Sequence, residues 1–158
     1  LYGDSRINLS RDPKEADELR KNILDSSSVQ NLYPRTRQLT AGIPLISAEV
    51  AADERSRTTG LMFRRALGPN QGMLFVFERL EKPCMWMRNT YVPLSVAFLD
   101  PKGRIVNIED MAPLTEQVHC ASQPARYALE MARGWFAERG LRPKQAVIGG
   151  LPPAPESR

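Results

Sequence analysis

A single histidine, His119, stands in a chain of 158 residues. That scarcity excludes the multi-histidine sites typical of catalytic zinc, and any Ser-His-Asp arrangement would have to use this one imidazole, with Ser95 or Ser122 as its partner. The sequence has no Gly-x-Ser-x-Gly elbow and no Gly-rich loop of the kind that cradles phosphates. No apolar run approaches the roughly 18 residues that a membrane-crossing helix needs, so no transmembrane segment is expected. Cysteine is almost as sparse, with Cys84 and Cys120 alone. The pair reads as two buried thiols in a reducing compartment or as one disulfide in an oxidising one, and composition leaves both readings open.

What is present is ordinary for a globular protein: 42% hydrophobic and 25% charged residues, a length suited to one domain, and a net charge of +4. The basic excess would suit an acidic partner. Lys and Arg are scattered, however, without a recognition helix, zinc-knuckle spacing or stacking motif, so no nucleic-acid partner is expected. The chain begins at Leu1 with no charged and apolar leader pattern in view. A removed signal peptide and a segment of a longer product both fit that start.

Along the chain, "RDPKEADELRKNIL" carries Asp12 as an N-cap, Pro13 at the first helical position and Glu15 in the first turn. The spacing of Ala16, Leu19 and Ile23 predicts a short helix over about 13–24, inside an N-terminal extension of residues 1–36. A single β-rich domain is expected over 37–150, followed by a Pro-rich, disordered tail at 151–158. Within the domain, "QLTAGIPLISAEVA" reads as a strand pair or one bent strand. Asp53 and Gly60 bracket a two-turn helix. Further strands are expected at 72–78, 84–90, 93–100, 104–111 and 125–134, with "DPKG" at 100–103 as a hairpin turn. "GWFAERG" reads as a short helix stopped by Gly140, and "QAVIGG" as a closing strand. Short strands at this spacing with two small helices predict a mainly β barrel or sandwich, with α+β as the fallback class.

The stretch "CMWMRNTYVPLSVAFL" gathers the most chemistry. Read as a strand, it puts Cys84, Trp86, Arg88 and Thr90 on one face and Met85, Met87 and Asn89 on the other. One face would be core and the polar end a turn before Pro93. Alternatively, Met62, Met73, Met85, Met87, Met111 and Met131 with the thiols would offer soft ligands that select Cu(I); against that, the methionines sit in apolar runs where packing explains them. Adjacent Glu109 and Asp110 would face opposite ways on a strand, which leaves a paired-carboxylate glycosidase unsupported. Glu130, between Leu129 and Met131, would either face solvent or orient a ligand from a cavity wall.

Five stretches in order, "TTGLMFRRAL", "GMLFVF", "WMRNTYVPLSVAFLD", "GRIVNIEDMAP" and "RYALEMARGWFAERGL", resemble the family known as domain of unknown function 192 over about residues 38–149. The resemblance implies a compact, mainly β domain, often exported, with no assigned activity. It points by motif position to Met62, Met73, Trp86, Met87, Arg88, Asn89, Thr90, Glu130 and Gly134. The family usually has Asp after Pro-Leu, where this chain has Ser95, which disfavours any role there that needs a carboxylate. Export in turn implies a disulfide between Cys84 and Cys120 and a periplasmic or secreted location.

The reading that follows is a non-enzymatic envelope protein that binds a small molecule or an envelope protein. Its candidate ligand-binding residues are Trp86, Arg88, Asn89, Thr90, Ser95 and Glu130, with no metal and no cofactor expected. The alternatives are a hydrolase-type enzyme using Glu130 or His119 as general base, and a Cu(I) carrier.

Overall fold

The structure, a computed structural model, describes residues 35–41 and 45–153. The helix expected over 13–24 lies outside the described residues. Within them the elements run β1 (Thr36–Thr40), β2 (Leu45–Ala51), α1 (Glu54–Thr59), β3 (Gln71–Glu81), β4 (Cys84–Met85), β5 (Leu94–Leu99), β6 (Ile105–Met111), β7 (His119–Cys120), β8 (Ala125–Ala132) and α2 (Trp135–Glu138). The protein is mainly β, with two short helices. Six strands form one mixed sheet in the order β1-β2-β3-β8-β5-β6, and β4 with β7 forms a separate two-stranded ladder.

β2 and β3 pair in parallel and every other pairing in the large sheet is antiparallel. A parallel pair needs a crossover, and α1 lies in it. Its start follows the sequence signal: the Asp53 carboxylate accepts from the Ser56 N–H at 2.7 Å, and Gly60 ends the helix at φ +50°. The buried guanidinium of Arg57 donates to the carbonyls of Ala52 and Val76, tying the crossover to β3.

The side-chain period of two sorts the sheet into faces. Leu74, Val76, Ala97, Leu99, Tyr127, Leu129 and Met131 pack on one face with Trp135 and Phe136 of α2. Met73, Phe75, Phe77, Leu94, Val96, Phe98 and Ala128 pack on the other with Met85 and Met87. Both faces are therefore covered, which explains why β3 and β5 read as continuous apolar runs. Each large side chain buried this way contributes about 1.5–3 kcal/mol.

The sheet is not a closed barrel, since β1 and β6 are its edges. Segment 144–149 joins these edges at one end: Thr40 bridges Gly149 on the β1 side, and Arg104 bridges Val147 on the β6 side. The stretch expected as a closing strand thus does link both edges, but through isolated bridges instead of a regular ladder. "DPKG" forms the expected β5–β6 turn. The Asp100 carboxylate accepts from the N–H groups of Lys102 and Arg104, and Gly103 sits at φ +85°. Of the Pro-rich tail, residues 151–153 are described, and the Tyr127 hydroxyl donates to the Pro152 carbonyl at 2.6 Å.

One element differs from the sequence expectation. The strand anticipated over 84–90 ends at Met85. Asn89 takes a left-handed conformation at φ +55°, and the Thr90 N–H turns back to the Met87 carbonyl. The strict alternation consequently stops at Arg88, and Thr90 is buried, where the strand reading had it share a face with Trp86 and the exposed Arg88. A left-handed asparagine ahead of a proline supplies the physical reason: neither continues a ladder.

Candidate functional site

The chain folds so that β6, an edge strand, forms one rim of a cleft of about 830 Å³. Ile108, Phe136, Ala137 and Leu141 provide apolar surface. Ser95, Glu109, Asp110, Gln117, His119 and Arg142 bring polar groups to it. An apolar floor with a few convergent polar groups is the usual anatomy of a ligand site.

Ser95 sits at the centre of the polar side. Its neighbour across the ladder is Asp110, and its hydroxyl donates to Asp110 Oδ1 at 2.5 Å while accepting from the Gly134 N–H at 3.0 Å. Gly134 reaches that position at φ +86°, a conformation natural to glycine and strained for other residues. Asp110 also lies 3.9 Å from the Arg133 guanidinium; both partners are about half exposed, so this ion pair contributes little. His119, also in the cleft lining, is 9% exposed, and its Nε2 has no hydrogen-bond partner among the described residues. A buried polar atom without a partner is uncommon and costs on the order of 1–3 kcal/mol.

Of the six candidate ligand-binding residues only Ser95 lines this cleft, joined there by Gly134, which the family resemblance pointed to, and by His119, the candidate base. Trp86, Arg88, Asn89 and Thr90 instead build the irregular turn after β4. The Arg88 guanidinium lies 5.7 Å from the Trp86 ring centroid and 3.7 Å from a Glu116 oxygen, and the Thr90 hydroxyl donates to the Arg88 carbonyl. Trp86 Nε1 is buried with no partner among the described residues.

Glu130 is a separate case. It lies in β8 between Met73 of β3 and Val96 of β5, on the sheet face that carries the methionine cluster. The residue is 4% exposed, and burial pushes its carboxyl from the ordinary 4.5 up to about 8. At neutral pH it is mostly protonated, and it is not part of the cleft wall.

The cleft residues that the sequence did not single out as ligand-binding are Glu109, Asp110, Gln117, Phe136, Leu141 and Arg142. Glu109 and Asp110 were read only as an unsupported carboxylate pair and His119 only as a possible base. No local pattern links residues 109–119 to 134–143; the β6 edge and the turn after β8 bring them together.

Cys84 and Cys120 face each other across β4 and β7 and form a disulfide, with Cα atoms 4.0 Å apart. The bond fixes the ladder on which His119 is carried. Among the described residues no helix is long and apolar enough to cross a membrane, and no group of three or more His, Cys, Asp or Glu side chains is arranged to hold a metal ion.

The profile of the family DUF192, described as "Uncharacterized ACR", matches residues 37–148. A crystal structure of a candidate transcription regulator from Sinorhizobium meliloti 1021 is similar to this chain at 33% identity and a TM-score of 0.69, covering 75% of this chain and 95% of that one. A protein of unknown function from Novosphingobium aromaticivorans DSM 12444 is similar at 29% identity and a TM-score of 0.64, covering 72% and 82%. No curated protein matches the chain.

Proposed function

Since the chain belongs to the DUF192 family, which carries no assigned activity, its function has to be argued from its own site, and we propose that it is a non-enzymatic binding domain of the cell envelope whose ligand occupies the β6-edge cleft. The observation that carries this reading is the cleft itself, where the Ser95–Asp110 pair, Glu109 and Arg142 stand beside an apolar floor. Such groups hold and orient an occupant.

The hydrolase alternative fares worse on geometry. A serine nucleophile needs its proton taken by a base that can then return it, commonly an imidazole. The Ser95 proton goes directly to Asp110, and the hydroxyl oxygen is already engaged by Gly134. Glu130 as general base would have to act from outside the cleft, in its protonated form. The Cu(I) alternative must draw on Met62, Met73, Met85, Met87, Met111 and Met131, all essentially without solvent exposure and four of them in one apolar cluster, where packing accounts for them. The disulfide supports an oxidising compartment, hence a periplasmic or secreted location.

Native mass spectrometry of the protein recovered without reductant from its own envelope tests the reading. The expected spectrum shows a non-covalent added mass that disappears in Ala137→Trp, a change that fills the cleft from its exposed side. A bare mass in both proteins, together with a substrate turnover that Ser95→Ala abolishes, would replace the binding role with an enzymatic one.

A further inference from the structure

The three β6 residues at the cleft do not share a face. Ile108 and Asp110 pair with Ala97 and Ser95 on the α2 side of the sheet, whereas Glu109 pairs with Val96 on the methionine side. All three nevertheless line the same cleft. A cleft that runs along the strand edge, in the plane of the sheet, accounts for lining residues from both faces.

The main chain at that edge is open. The Pro93 carbonyl accepts from Arg133 just beyond β8, so Ser95 and Ala97 turn their peptide groups toward β8, while Leu94, Val96 and Phe98 turn theirs toward β6. Their β6 partners Met111, Glu109 and Asn107 complete that ladder. Ile108 and Asp110 therefore direct N–H and C=O outward. Farther along the strand the equivalent outward groups of Ile105 are bonded to Ala146 and Lys144. At Ile108 and Asp110 no main-chain partner exists on that side among the described residues.

Resting on the reading of the cleft as a binding site, we infer that its occupant is an extended peptide segment of a partner protein, which adds to β6 as a seventh strand through the main chain of Ile108 and Asp110. Strand addition takes its affinity from main-chain bonds and its selectivity from alternate side chains. The residue opposite Ile108 shares its face and lies over Phe136 and Leu141, so it is apolar. The residue opposite Glu109 meets a half-buried carboxylate that has no ion-pair partner among the described residues, so it is basic.

The probe is the blocked hexapeptide acetyl-VKVKVK-amide, titrated into the full, oxidised, isotopically labelled chain and followed by amide NMR. Two N-methylated versions accompany it, one methylated on every valine and one on every lysine. Saturable shifts are expected at 108–111, 117–119 and 140–143. One N-methyl series should weaken binding at least about tenfold and the other less than about threefold, because only alternate amides face β6. Asp110→Pro should abolish binding, whereas Asp110→Ala, which removes only the carboxylate, should weaken it far less; the proline is compatible with the fold because the N–H it removes points away from β5. Equal binding by both N-methyl series at the cleft overturns strand addition and leaves the cleft as a binding site. Absence of cleft shifts with any peptide overturns strand addition, and the envelope mass measurement then judges the cleft independently.

Discussion

At the scale of single residues, the most consequential group lies outside the cleft. Glu130 is buried in β8 with its carboxyl raised to about 8, so the folded state holds a proton that the unfolded state releases near 4.5. Folding then binds a proton between these values, and stability falls as pH rises through that window. The expected slope approaches 1.4 kcal/mol per pH unit, full stability lies below the unfolded value, and the curve flattens above about 8. Urea midpoints across this range should show the decline in the native sequence, and Glu130→Gln should remove most of it. A slope that survives the substitution would assign the effect to another group. Ser95 makes a contrasting case. Ser95→Ala strips an acceptor from the Gly134 N–H and a donor from Asp110, which should cost about 1–3 kcal/mol in denaturant unfolding and lower occupancy of the cleft. Neither role was legible in sequence. "ALEM" signals a strand but not its depth in the sheet, and Ser95 gains its partners from residues 15 and 39 positions away.

At the scale of elements, legibility followed locality. The α1 cap, the "DPKG" turn and the strand pair at 36–51 depend on neighbours within a few positions, and the sequence reading placed them well. The stretch 86–90 was misread because Thr90 and Met87 take their main-chain partners from Leu114 and Thr115 across the fold. Their residue types alone satisfy a strand pattern. The Cys84–Cys120 ladder closes a loop of sequence separation 36, and removal of such a bond is worth about 4 kcal/mol in the chain-entropy model. Replacing both cysteines by serine should therefore lower stability by up to that amount. Hydrogen exchange offers the sharper measurement, with faster exchange expected at 84–87 and 115–121 while β3, β5 and β8 stay protected. Uniformly faster exchange would mean that the ladder is part of the global unfolding unit. Because His119 sits on β7, the same variant should also weaken whatever the cleft holds.

At the scale of the whole molecule, the two ends of the described chain meet. The Arg37 side chain in β1 donates to the carbonyls of Gly150 and Leu151, Leu151 packs on the α2-side core, and Tyr127 in the central strand β8 donates to Pro152. All eight strands, both large apolar clusters and the disulfide of the described residues fall within 35–153. Two truncations separate what the sheet requires from what it does not. Ending the chain after Gly150 removes two contacts: the buried Tyr127 hydroxyl loses its acceptor and Leu151 leaves the core. Those losses amount to roughly 2–4 kcal/mol, or a fall of roughly 5–15 °C for a sheet domain of this size. Ending after Pro153 keeps both contacts and should match the full chain. If the shorter truncation melted with the longer one, residues 151–153 would be ornament on a domain complete at Gly150. The opposite result would make the Pro-rich segment the last piece of the fold, joining the β1 edge to the central strand in the way 144–149 joins β1 to β6.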